Sequence, residues 1–387
     1  MRVLHLYAGN LFGGIERTLL TLWRARRCAP QMYPHFALCF NARLARELRK
    51  HGAPVDILGD VRLGLPWTAM RARKRLRDVL ERGHFDVALA HSLWPHVVFA
   101  PAVRDARVPL VTWLHDVPGA DGWLEWLVQR DPPDLMLANS CYTASRAAEM
   151  FVGVPVELQY PPVELPPVQQ ASARTECDRF VILIASRLQP SKGHAILIDA
   201  LSMLPQTLDW GCWIAGSPQR ATEREYADEL HRRALSRGVA GTVHFLGQRD
   251  DVPHLLARAD VLCQPNTEPE GFGLTFVEAL AVGTPVITTD LGAARELIDG
   301  TGGVLVGPND PRAVAAAIAG FAGHGPPRPY SNILKNIRST RPASARAWEA
   351  GRARVEQMCG VERALPRLAA ALARACEGRT RWSVCVT

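Results

Sequence analysis

Lysine is almost missing from this chain. Lys50, Lys74, Lys192 and Lys335 are the whole set, and arginine supplies the rest of the 45 basic residues. A GC-rich genome would produce that bias by itself, yet it gives weight to a lysine such as Lys192, set in a glycine-bearing loop. The nine cysteines, scattered from Cys28 to Cys385, include no C-x-x-C pair. That excludes the usual spacing of a structural zinc site and a disulfide frame, and it points to free thiols in a reducing compartment. No apolar run reaches the roughly 18 residues of a membrane span. The opening MRVLHLYAG runs directly into a strand without the layout of a signal peptide, so the expected location is the cytoplasm, with the inner face of a membrane as a variant of it. No nucleic-acid-binding motif accompanies the net charge of +7, so nucleic acid is not an expected partner. A basic balance suits anionic substrates or an acidic membrane surface instead.

What is present is an alternation of apolar strands and amphipathic helices along 387 residues. That pattern implies α/β layers with parallel sheets, in two domains or more. The spacing predicts strands at Val3–Tyr7, 35–40, 54–58, 85–92, 109–116 and 134–140, the last of these ending a first domain over 1–160. Ser140 is placed to cap the helix that follows. Pro161, Pro162, Pro166 and Pro167 mark 161–178 as a linker. A second domain then spans 179–325, opening with the strand 180–186, and a tail over 326–387 reads as polar and then helical from about Ala343 through Cys376. Between Val3–Tyr7 and the first helix lies Ala8-Gly9-Asn10-Leu11-Phe12-Gly13-Gly14, a glycine loop without the G-x-G-x-x-G fingerprint. His91 and His115 end two buried strands and should emerge at one sheet edge, where α/β proteins bind ligands. For His91 a structural role is the simpler reading. Trp94, Trp113, Trp123 and Trp126 crowd the same region, and core packing is the expectation for them. The basic helix from Thr68 to Arg82, with Trp23, Arg24, Arg26 and Arg27, is either a solvated face or a membrane-surface patch.

The densest stretch is Glu268 to Ile287, EPEGFGLTFVEALAVGTPVI. Gly271 and Gly273 permit a sharp turn and close backbone approach to a ligand. The helix behind them offers its N-terminus to an anion such as phosphate. Glu270 precedes that helix and Glu278 lies within it, so the two carboxylates bracket a bound molecule and can accept its hydroxyl protons. Upstream, Arg187 and Lys192 lie five positions apart in a loop after a strand, a spacing that lets two cations grip a diphosphate.

This stretch resembles the E-x7-E signature of the retaining glycosyltransferases of family four (glycosyltransferase group 1), which have the GT-B fold. Glu270, Gly271, Phe272, Gly273, Leu274, Glu278, Ala279, Gly283, Pro285 and Val286 fall in place. Arg187-Leu188 with Lys192-Gly193 resembles the family's R-L-x-x-x-K-G motif, and Gly13-Gly14 its N-terminal loop. The resemblance implies an α/β GT-B chain: two facing Rossmann-like domains, the active cleft between them, and a last helix crossing back to the first. It implies transfer of a sugar from a nucleotide-diphosphate sugar to an acceptor hydroxyl with retention, the acceptor being a glycan, a lipid-linked sugar or a small molecule. By the same resemblance His115, Arg187, Lys192 and Glu270 would be catalytic. Gly13, Gly14, Gln248, Gly271, Phe272, Gly273, Leu274 and Glu278 would bind the donor. No D-x-D carboxylate pair is present in the donor region, so no metal and no further cofactor is expected; peripheral membrane contact remains open. Other readings are a sugar phosphorylase, a nucleotide-sugar epimerase, or a non-catalytic nucleotide-sugar-binding protein. A glycosidase is disfavoured, because Glu278 deep in a helix is badly placed for two-carboxylate chemistry.

Overall fold

The computed structural model describes residues 1–10, 12–62, 64–119, 122–165, 179–323 and 342–377. The centre of the expected linker (166–178), the break at Gly325-Pro326-Pro327 and the end from Gly378 to Thr387 lie outside them. The chain divides into two compact units, Met1–Glu164 with Met358–Thr387, and Leu165–Gln357.

In the first unit, strands β1 (Arg2–Tyr7), β2 (Tyr33–Leu38), β3 (Val55–Ile57), β4 (Val87–His91), β5 (Leu110–Leu114), β6 (Leu135–Ala138) and β7 (Val156–Leu158) alternate with helices α1 (Gly14–Arg24), α2 (Arg43–Lys50), α3 (Pro66–Gly83), α4 (Leu93–Asp105), α5 (Trp123–Arg130) and α6 (Cys141–Met150). The sheet order is β3-β2-β1-β4-β5-β6-β7, with every neighbouring pair parallel. Helices cover both faces of such a sheet, which is why β4 and β5 are buried along their whole length and read as unbroken apolar runs. The Ser140 hydroxyl accepts the Thr143 N–H at 3.0 Å and starts α6, as its position predicts.

Two expectations for this unit are corrected. The sheet does not end at β6: β7 pairs with it in parallel, Met136 opposite Val156. Val156, Glu157 and Leu158 form a short, half-exposed edge strand, too brief to show a periodicity. Trp113 is fully buried, whereas Trp123 and Trp126 are each 54% exposed on α5 and are not core residues.

The second unit repeats the plan with β8 (Phe180–Ala185), β9 (Trp210–Ala215), β10 (Val243–Gly247), β11 (Val261–Gln264), β12 (Val286–Thr289) and β13 (Val304–Val306). Between and after them come α7 (His194–Leu201), α8 (Ala221–Ser236), α9 (Val252–Arg258), α10 (Leu274–Val282), α11 (Ala294–Ile298) and α12 (Pro311–Phe321). This sheet, in the order β10-β9-β8-β11-β12-β13, is also wholly parallel. In each unit the strand order reverses once, between β1 and β4 and between β8 and β11. Those switch points open the crevices at the carboxyl ends of the strands.

The described tail is helical in two segments. It is α13 (Pro342–Cys359) and α14 (Val361–Glu377), broken at Gly360, which pairs with Val163 as an isolated parallel bridge. Arg352 and Arg354 donate to the carbonyls of Ala281 and Glu296 at 3.0 Å each and fasten α13 within the second unit. α14 returns to the first unit. Its Leu365, Leu368 and Leu372 are fully buried in one core with Val3, Leu22, Phe36 and Trp113. The crossover that the GT-B resemblance implies is therefore present.

Candidate active site

In the second unit the loops after β8 and β11 meet at the switch point, because those strands are neighbours. Leaving β8, the chain passes Ser186 and Arg187 and makes a short 3-10 turn at Pro190–Lys192. The Thr267 N–H donates to the Ser191 carbonyl at 3.0 Å, tying this loop to the one after β11. The Lys192 ammonium then reaches the Glu270 carboxylate at 2.7 Å. Asn266 donates to the same oxygen, Oε2, at 3.0 Å, and is oriented by Gln264 at 3.0 Å. Glu270 is thus held from two sides while remaining partly open, with its side chain 16% exposed and that of Lys192 24%. Its backbone is fixed as well: Glu270 bridges Gly292, and the Ala293 N–H donates to the Glu270 carbonyl at 2.9 Å. Gly292 has φ +63°, and a Cβ there would fall on the Glu270 carbonyl oxygen, so glycine is required for this approach.

Helix α10 begins immediately beyond. Gly273 caps it with φ +86°, a conformation that suits glycine. No acidic residue occupies the first turn, so the positive end of the helix dipole carries no carboxylate of its own there. Thr275 donates to the Ala185 carbonyl at 3.2 Å, so this face of α10 meets the end of β8. Glu278 is half-buried and lies three positions on, along the same face. Phe272 is 4% exposed, so its ring belongs to the packing. Arg187 is half-buried, and Gln248 is exposed beside Ser217, whose hydroxyl lies 3.3 Å from Gln248 Oε1.

In the first unit the end of β1 leads through Gly13 into α1. The Gly13 N–H donates to Glu16 Oε2 at 2.8 Å, and the Tyr7 hydroxyl donates to Oε1 at 2.8 Å. The N-terminus of α1 is therefore already served by a carboxylate that is 2% exposed, and Gly14 is exposed beside it. At the tips of β4 and β5, His91 Nδ1 lies 3.0 Å from His115 Nε2, and His91 Nε2 lies 3.0 Å from His5 Nδ1 on β1. Burial pushes His5 and His115 down to about 3, and His91 well below the usual imidazole range, so all three rings are neutral near pH 7. Asn139 donates to the His115 carbonyl at 2.7 Å and fixes the backbone at that tip.

Arg187, Lys192, Glu270, Gly271, Phe272, Gly273, Leu274 and Glu278 thus gather around one switch point, and Gly13, Gly14 and His115 around the other. Reasoning from the sequence missed His5, Asn266 and Gly292. A histidine in the apolar run of β1 was a signal for the first. Asn266 and Gly292 act on Glu270 through tertiary contacts that no local pattern announces.

The model of the family Glycosyl transferases group 1 matches residues 168–327. Phosphatidyl-myo-inositol mannosyltransferase of Mycobacterium leprae is 34% identical over 330 residues, 81% of this chain and 84% of that protein. The lipopolysaccharide core biosynthesis mannosyltransferase LpsB of Rhizobium meliloti is 31% identical over 210 residues; the match spans 52% of this chain and 58% of that protein. Among solved structures, Anabaena HepE in complex with UDP-glucose has a TM-score of 0.77 at 24% identity, covering 97% of this chain and 100% of that one. A glycosyltransferase from Rickettsia africae has a TM-score of 0.78 at 18% identity, covering 98% and 99%. These structural likenesses extend over both units and show a common two-unit fold.

Proposed function

The chain belongs to the glycosyltransferase group 1 family and has the GT-B fold, and from that premise we propose that it transfers a sugar from a nucleoside-diphosphate sugar to an acceptor hydroxyl with retention of configuration. The observation that carries this reading is the Lys192–Glu270 pair at 2.7 Å, set beside the start of α10 in the loops after β8 and β11. A cation and a carboxylate side by side suit a donor whose charged diphosphate adjoins a hydroxyl-rich sugar. Lys192, Arg187 and the amides at the start of α10 hold the diphosphate and stabilise the charge that develops on it as the glycosidic bond breaks. Glu270 takes the transferred sugar and Glu278 the ribose hydroxyls. His115 is assigned the role of a hydrogen-bond donor to the sugar by the family resemblance alone. Because protein cations meet the diphosphate, no metal has a role, and turnover should persist in EDTA. By the family resemblance, the acceptor proton passes to the leaving phosphate oxygen.

Two relatives named as mannosyltransferases favour mannose as the sugar, and a nucleoside-diphosphate mannose as the first donor to test. Saturating donor should raise the melting temperature, because it binds the folded state alone. Lys192→Ala should remove that rise and cost about 2–4 kcal/mol of transition-state stabilisation. A sugar phosphorylase would instead need inorganic phosphate and would show no shift with any nucleotide sugar. The same lack of shift across a panel of such donors would overturn the proposal.

A further inference from the structure

His5 on β1, His91 on β4 and His115, one residue beyond the end of β5, belong to three adjacent parallel strands and their tips. His5 is opposite Leu89, and His91 is opposite Trp113. Each histidine therefore stands two residues beyond the partner of the previous one, so all three share one face of the sheet. The rings stack in sequence, with centroids 5.3 and 5.2 Å apart and planes inclined by 19° and 20°. Phe36 covers the inner end at 5.1 Å from His5, and Trp113 flanks the outer end at 4.9 Å from His115. Both nitrogen–nitrogen contacts are 3.0 Å.

A neutral imidazole has one N–H and one lone pair. His91 uses both nitrogens within the chain, so it donates to one neighbour and accepts from the other. Only two directions are then possible. In the inward direction His115 donates to His91 and His91 to His5, which leaves the proton of His5 on Nε2. That atom is buried and has no hydrogen-bond partner among the described residues. In the outward direction Nε2 of His5 keeps only a lone pair. A buried N–H without an acceptor is costlier and rarer than an unused acceptor, so the outward direction wins.

We infer that His5 and His91 are positioning residues that fix the tautomer of His115, holding its single ring proton on Nδ1. Nε2 of His115 accepts from His91 and is taken. The ring therefore acts as a hydrogen-bond donor at the strand tip and not as a base. This deepens the proposed function and rests on it only where His115 meets the donor: a donating imidazole can hold a sugar oxygen and cannot deprotonate the acceptor. The low basicity of all three rings under burial agrees with one proton per ring.

The test is nitrogen-15 NMR of the histidine rings in the full chain, without substrate, so that its outcome is independent of whether transfer occurs. The expected result is a protonated Nδ1 and an unprotonated Nε2 on His115; the reverse overturns the inference. His91→Phe keeps a stacking ring but removes the donor, and should leave His115 in mixed tautomers. His91→Asn restores an N–H near the position of Nδ1 and should restore the Nδ1 tautomer. With a competent donor, His91→Phe should lower kcat about tenfold, the worth of one hydrogen bond, with His91→Asn recovering it. A His115 tautomer unchanged in His91→Phe would also overturn the inference. Absence of donor binding by the unaltered chain would instead sink the transferase reading and leave the tautomer result standing.

Discussion

Glu270 and Glu278 share a charge and a helix–loop segment, yet their surroundings differ. Glu270 is braced by Lys192 and Asn266 and fixed through its backbone at Gly292. Glu278 lies within α10 on the face of Thr275, which meets the end of β8. If Glu278 binds ribose, its contacts are alike in the ground and transition states, and Glu278→Gln should mainly raise the donor KM. The sugar held by Glu270 gains positive charge as its bond breaks. A nearby anion helps that state more than the resting one, so Glu270→Gln should mainly lower kcat. Steady-state kinetics at saturating acceptor separate the two, and KM-only effects in both variants would move the charge stabilisation elsewhere. Removing the Glu270 charge also leaves Lys192 without its ion pair, so part of any loss would come from a displaced ammonium.

At the scale of elements, the loops are built on close backbone approach. Gly292→Ala must clear the Glu270 carbonyl and adopt φ +63°, both unfavourable for alanine. The expected result is a folded second unit with Glu270 displaced: kcat falls while the melting temperature drops only by the equivalent of about 1–3 kcal/mol of strain. A full loss of folding, read by circular dichroism, would show instead that the bridge is structural. Gly292 also illustrates which parts of the fold could be read in the sequence. Apart from β7, the strands of both sheets are apolar runs that can be seen, and Gly273 lies within a recognisable glycine loop. Gly292 lies 22 positions beyond Glu270, in a turn with no repeat or spacing of its own. β7 escaped for a related reason: a three-residue strand at a sheet edge buries too little to impose alternation. Trp123 and Trp126 misled in the opposite sense. Their size suggests a core, but Trp126 instead stacks under the Arg130 guanidinium at 4.5 Å in the open.

At the scale of the molecule, the chain leaves the first unit once and comes back to it. α14 returns as a late segment, more than 200 residues after β7, and completes the core begun by β1 and α1. Its amphipathic face was legible as helix, whereas the break at Gly360 was not, since that glycine is used in a bridge to Val163 that only the tertiary structure reveals. Leu368 is fully buried there among Leu22, Phe36 and Trp113. Leu368→Ala should therefore destabilise the first unit by about 2–5 kcal/mol, from lost burial and the cavity left behind. The same unit holds the three stacked histidines and the buried His96, and their lowered pKa values contribute to its response to acid. In the unfolded chain each would protonate near 6.5; in the folded unit His5 and His115 do so only at about 3. The unfolded state thus binds more protons throughout that interval, and stability must fall as the pH drops from 6.5 towards 3. Calorimetry of the full chain should show one transition, that of the first unit, shifted by Leu368→Ala and lowered by acid over this window. His5→Phe should flatten its pH slope, because one group that titrates only on unfolding is gone. A slope unchanged by that substitution would mean that the buried rings are already charged, and that the stack is held by something other than neutral hydrogen bonds.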